Sequence, residues 1–139
     1  MIDILNSKIA SFQSTNMKAK QLDILTEGTS DMKFDIIFNS MVLHHITDTA
    51  AIIEKFYELL HDDGCLCIVD LDKEDGRFHK NEPGFDGHNG FQQEKLKEIL
   101  HNAGFKHISS TTFYYDNKII DGENVNYSLF LMKAQKLMN

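Results

Sequence analysis

A chain of 139 residues has room for one domain with a core of its own, and an apolar share of 42% is that of an ordinary globular protein. The formal charge of -7 and the absence of any basic cluster argue against a nucleic-acid backbone as the main partner, since such binders gather Lys and Arg on one face. No apolar run is long enough for a bilayer, and Met1-Ile2-Asp3-Ile4-Leu5-Asn6 has no basic region leading into an apolar block; neither a membrane partner nor export is expected, and the cytoplasm is the default location.

Ile2, Leu5, Ile9 and Phe12 fall on one helical stripe. After a polar stretch from Gln13 to Asn16, the segment Ala19 to Ile24 reads as a short strand, and Thr26 to Asp31 as a loop. Asp35 to Asn39 forms a buried strand that ends in a small polar turn and the pair His44-His45. Asp48 caps a helix with Ile52, Ile53, Phe56, Tyr57, Leu59 and Leu60 on one broad face, and Gly64 stops it. Cys65 to Leu71 is a second apolar strand, closing on Asp70 and Asp72.

The polar segment from Lys73 to Gly90 is long for a connection and predicts a lid or binding loop. A helix follows from about Phe91 to Ala103, with Leu96, Ile99 and Leu100 inward and Gly104 as its stop. Phe105 to Tyr115 alternates and is rich in Thr, Ser and aromatics, which predicts a strand. A turn at Asp121 to Asn124 then leads to a closing strand over Val125 to Ala134, antiparallel across that connection. The order predicts a single α/β domain over residues 1–139, with a mostly parallel sheet, one antiparallel carboxyl-terminal member and crossover helices on both faces.

In such sheets ligands sit at the carboxyl ends of the strands, so the turn after Asn39 marks the rim of a crevice. Cys65 and Cys67 share one face of their strand and are poorly placed for a mutual disulfide; buried small hydrophobes is the plain expectation. Asp70, Asp72, Glu74 and Asp75 repel one another unless they are solvated, capped, or neutralised by a cation or a cationic substrate. His79, Asp86 and His88 follow, but their spacing matches no compact ligand motif, and no metal site is predicted. Phe78, Phe85 and Phe91 either wall a pocket or pin the long loop to the sheet.

Several of these stretches, in this order, resemble the class I S-adenosylmethionine-dependent methyltransferases, in a small-molecule branch. Met1-Ile2-Asp3-Ile4-Leu5 resembles the helix after the family's second strand, and Gln21-Leu22-Asp23 its third-strand motif. Phe34 to Ser40 resembles the fourth strand, and Val42-Leu43-His44-His45-Ile46 the start of the element beyond it. Leu59 to Leu66 is similar to the turn into the fifth strand, with Asp62-Asp63-Gly64 where the family has Pro-Gly-Gly. Asp70 to His79, His88-Asn89-Gly90-Phe91 and Ala103-Gly104-Phe105 continue the likeness. The family's first strand, Gly-rich turn and second strand have no counterpart here, and Gly84, Gly87 and Gly90 follow no strand, so they do not form a nucleotide motif.

The resemblance implies an incomplete Rossmann-like sheet, S-adenosylmethionine as cofactor and a small-molecule methyl acceptor as partner. It places Asp23, Ile24, Asn39, Ser40 and Met41 on the cofactor, with Asp23 accepting from the adenine amino group. It gives His44 and His45 the role of orienting the acceptor or taking its proton. Asp70, Asp72, His79 and His88 are implied to touch the substrate. The plain alternatives are a turn-forming Asp23, a core Met41, and histidines that are half-buried or cap a turn. With the first strand missing, the Ile36-Ile37-Phe38 strand has an open edge, which predicts either that the Leu22 strand moves beside it or that another chain, as in a homodimer, covers it. Impaired cofactor binding follows, with a non-catalytic interaction or dimerisation module as the other reading.

Overall fold

The computed structural model describes residues 1–29 and 31–138; Ser30, within the predicted loop, lies outside the described residues. Helix α1 (Ile2–Ser11) is followed by strand β1 (Phe34–Ser40), helix α2 (Thr49–Leu59) and strand β2 (Leu60–Leu71). Helix α3 (Gln93–Ala103) and the long strands β3 (Lys106–Ile120) and β4 (Glu123–Gln135) complete the order. The sheet order is β1-β2-β4-β3, with β1 parallel to β2 and β4 antiparallel to both of its neighbours. Three strands thus run one way and the carboxyl-terminal strand runs against them, as the sequence predicts.

Local chemistry explains most boundaries. The Asp48 carboxylate accepts from Ala51 N–H at 3.0 Å and starts α2, and Gly104 ends α3 in the left-handed region. Asp121 and Gly122, both at positive φ, make a two-residue hairpin that pairs Ile120 with Glu123. This tight turn lets β3 run five residues beyond the predicted Tyr115. Gly64 does not stop α2, which passes straight into β2 at Leu60. The register slips between Phe34/Leu60 and Ile36/Cys65, so Asp62-Asp63-Gly64 forms a bulge within the strand.

The predicted strand Ala19–Ile24 does not form. Asp23 instead closes a turn, its backbone oxygen accepting from the Thr26 and Glu27 N–H groups, and Ile24 alone drops onto the core. The Leu22 strand therefore does not move in beside β1, which is left, like β3 at the other end, as an edge of the sheet among the described residues.

The core lies on one face of the sheet. Ile52, Ile53 and Phe56 of α2 and Leu96 and Leu100 of α3 pack with Leu66, Ile68, Phe130 and Met132 of the strands. The other face is sparsely covered, since α1 buries none of its residues and Phe12 is 82% exposed. In register there stand Ile36 beside Cys65 and Phe38 beside Cys67, with the two apolar side chains 66% and 63% exposed. This corrects the expectation for the cysteines: both are free but only half-buried, because their face lacks cover among the described residues. No helix among the described residues is long and apolar enough to cross a membrane.

The segment between β2 and α3 is pinned to the strand ends rather than loose. Lys73 and Phe91, and Glu74 and Asn89, are joined by backbone bonds of 2.9 Å, and Phe91 N–H donates to Leu71. Gly90, at φ +72°, lies where a Cβ would strike the Asp72 carbonyl, and a Cβ at Gly87 would strike that of His44. These glycines serve close backbone approach. Gly90→Ala is expected to cost about 2 kcal/mol in urea unfolding, from left-handed strain and overpacking together.

Candidate active site at the carboxyl ends of the parallel strands

β1 delivers its last residues to the crevice rim through a strained turn. Met41 N–H bonds to Val69 O at 2.8 Å and Met41 takes φ +57°, an unusual conformation for a long side chain. The chain then coils into a short 3-10 turn, Leu43–His45, with Leu43 and His44 buried beneath it. A second 3-10 turn, Arg77–His79, brings His79 in from the long loop.

Asp70 anchors the site from the end of β2. It is 0% exposed, and three groups donate to its carboxylate: His44 Nδ1 at 2.6 Å, His44 N–H at 3.1 Å and Leu71 N–H at 2.7 Å. A carboxylate only accepts, so His44 carries a proton on Nδ1, and in the neutral ring its Nε2 carries the lone pair. That nitrogen faces Nε2 of His79 at 3.2 Å. His79 then donates from Nε2, which leaves its Nδ1 as an acceptor, and Nδ1 is buried without a partner. Burial pushes the His79 pKa down, the Glu82 carboxylate at 3.7 Å pulls it up, and the His44 and His45 rings add to the lowering.

His45 sits at the mouth. Its ring is exposed and lies 4.1 Å, centroid to centroid, from that of His44. Phe85 closes the other side, stacked on His79 at 4.0 Å with the rings 7° from parallel. One ring nitrogen from each of His44, His45 and His79 falls within 4.8 Å of the other two.

The other predicted residues divide. Asn39, beside Ile68 near the end of β1, has a feature of its own: both atoms of its carboxamide are buried without a hydrogen-bond partner. Ser40 ends β1 beside Val69. Asp23 stands in a turn, one carboxylate oxygen accepting from Leu25 N–H at 3.0 Å, as the plain alternative holds. Asp72 is a strut: it accepts from Gln93, Thr112 and Ser128 and so ties α3, β3 and β4 to the end of β2. His88 is one too, its Nε2 lying 3.1 Å from each of Ile46 O, Thr47 O and Thr49 Oγ1. These contacts tie both side chains to neighbouring elements rather than to the histidine cluster.

Beside the cluster, a groove of about 290 Å³ is lined by Asp72, Glu74, Asp75, Tyr115, Tyr127 and Ser128. Glu74 connects the two, since its charge acts on His79 and its Oε1 is buried without a partner. Sequence reasoning did not single out Glu82 or the orphaned Glu74 oxygen, because nothing in their spacing ties them to His44.

The comparisons with known proteins bear on the family and the fold. A family model described as "Methyltransferase domain" matches residues 1–110. An uncharacterized methyltransferase of Schizosaccharomyces pombe is 30% identical over 118 residues, covering 74% of this chain but only 41% of that protein, so the chain spans under half of its relative's length. Among solved structures, the YcgJ protein of Bacillus subtilis superposes with a TM-score of 0.76 at 12% identity, over 100% of this chain and 79% of that one. Phosphoethanolamine N-methyltransferase 2 of Haemonchus contortus, solved with phosphomonomethylethanolamine and S-adenosylhomocysteine, gives 0.76 at 13% identity over 99% and 41%. Those two likenesses establish the fold, and the family match goes further: the chain belongs to the methyltransferase-domain family.

Proposed function

We propose that the chain takes part in S-adenosylmethionine-dependent methyl transfer to a small molecule, with cofactor affinity impaired in this chain on its own. The observation that carries the reading is the buried Asp70–His44 pair at the carboxyl end of the parallel strands, with the exposed His45 ring against it. The orphaned Asn39 carboxamide fits the cofactor's amino-acid end, since it offers a donor to a carboxylate and an acceptor to an ammonium group. Ser40 and Met41 would flank that end, and Asp23 would reach the adenine. The cofactor supplies an electrophilic methyl group. His45 takes the acceptor's proton at the mouth, while Asp70 and His44 hold the rings in place. The groove beside the cluster is near the lower bound of small-ligand pockets and is lined by three carboxylates against one cation, Lys73, a net negative charge that supports a small molecule over a nucleic acid as acceptor. The incomplete half of the reading rests on the sheet, which has no strand beyond β1 among the described residues.

Calorimetry with S-adenosylmethionine tests this: weak binding is expected, and Asn39→Leu should remove it. The same substitution should raise stability by about 1–3 kcal/mol, because two buried polar groups without partners are exchanged for an apolar side chain of similar size. Unchanged binding in Asn39→Leu would sink the cofactor assignment.

A second reading is favoured by one observation, the exposed apolar pair Ile36 and Phe38 on the open edge. It makes the chain a non-catalytic module that pairs with a second copy of itself through β1.

A further inference from the structure

We infer that His44, His45 and His79 form a binding site for a divalent transition-metal ion of the zinc type. The inference goes beyond methyl transfer and stands without it.

The first support is the facing pair of nitrogens. His44 has its proton fixed on Nδ1 by Asp70, so its Nε2 lone pair points at Nε2 of His79, 3.2 Å away. Two imidazole nitrogens on one tetrahedral ion stand about 3.3 Å apart. The two rings are already held at the separation that a shared ion demands, and the His79 proton is what occupies the position now. His45 adds a third nitrogen within 4.8 Å of both, from an exposed ring that leaves a path from solvent.

The second support is the shell behind the ligands. A metal-bound histidine almost always donates its other N–H to a carboxylate or carbonyl, which fixes the ring and raises its basicity. His44 has this arrangement ready-made in Asp70, itself fully buried. His79 has no such partner in place: its Nδ1 is buried and unpartnered, and an ion on Nε2 puts the ring proton on that nitrogen, turning an orphaned acceptor into a donor.

The third support is electrostatic. His79 is buried, and the Asp70 carboxylate on His44 and the Glu82 carboxylate 3.7 Å from His79 place negative charge around the cluster, which favours a cation there. Imidazole donors select zinc, cobalt, nickel or copper over calcium and magnesium, which take oxygen. The ion would occupy the nitrogens that the methyl-transfer reading assigns to proton handling, so ion and proton compete for one place.

The test is a titration of the metal-free chain with Co²⁺ and Zn²⁺ in the absence of S-adenosylmethionine, read by visible absorption for cobalt and by calorimetry for zinc. One ion per chain is expected, with a low-coordinate cobalt spectrum. His45→Ala is the decisive variant, because its exposed ring can be removed without disturbing the core, and it should weaken binding at least tenfold. Asp70→Asn should weaken it about ten- to hundredfold, and His101→Ala, an exposed histidine on α3, should leave it unchanged. No saturable binding, or a loss below tenfold in His45→Ala, overturns the site. Since no cofactor is present, failure of the methyl-transfer reading and failure of this one are told apart.

Discussion

Asp70→Ala is expected to destabilise the chain by about 3–5 kcal/mol in urea unfolding followed by far-UV circular dichroism, the loss typical of breaking a fully buried pair from one side. Asp70 is out of contact with water and accepts from His44 twice and from Leu71 once. Truncation leaves all three donors buried and unsatisfied, at the point where the first 3-10 turn meets β2. Asp70→Asn separates charge from packing. Asparagine keeps the volume but presents one N–H₂ group, so either His44 N–H faces a donor or the His44 ring must change tautomer. The loss of stability should be smaller, about 1–2 kcal/mol, while methyl transfer and metal binding should both fall, because either the turn that carries His44 is pushed off its anchor or Nε2 loses its free lone pair. A loss under about 1 kcal/mol in Asp70→Ala would mean that the pair is not buried as described.

Elements set by local chemistry were legible in the sequence. The Asp48 cap, the Gly104 stop and the Asp121-Gly122 turn each act within a few residues of themselves, so their chemistry can be read without knowing the fold. The antiparallel last strand follows from that turn. What the sequence hid depends on distant partners. Ala19 to Ile24 has a strand's composition, but a strand needs a ladder, and no neighbour pairs with it while Asp23 closes a turn on itself. Cys65 and Cys67 read as buried because β2 alternates well; their exposure is decided by what covers the face, which alternation does not encode. The histidine cluster is the sharpest case. His44 and His79 are 35 residues apart, and only the pinning of the long loop by Gly87 and Gly90 brings them to 3.2 Å. A search for compact ligand spacing therefore passes over them.

The open edge gives the other large expected effect. β1 has β2 on one side only, so its outward N–H and C=O groups have no ladder among the described residues. Ile36 and Phe38 stand beside that edge on the bare face, next to the half-buried Cys65, Cys67 and Val69. Backbone groups along one edge strand are self-complementary across a two-fold axis, so a second copy pairing antiparallel to β1 would satisfy them and join the two apolar faces. Burying one Ile or Phe side chain is worth about 1.5–3 kcal/mol, and four such side chains are engaged in a symmetric pair. The wild-type chain is accordingly expected to run at twice its own mass in light scattering. Ile36→Lys with Phe38→Lys should shift the dissociation constant at least a hundredfold and give a monomer. Thiol reactivity supplies an independent reading: Cys67 lies beside Phe38, so its labelling should slow as wild-type concentration rises and stay fast in the double variant. A wild-type monomer at high concentration, with Cys67 equally reactive throughout, would remove the pairing through β1 and with it the reading of this chain as a dimerisation module.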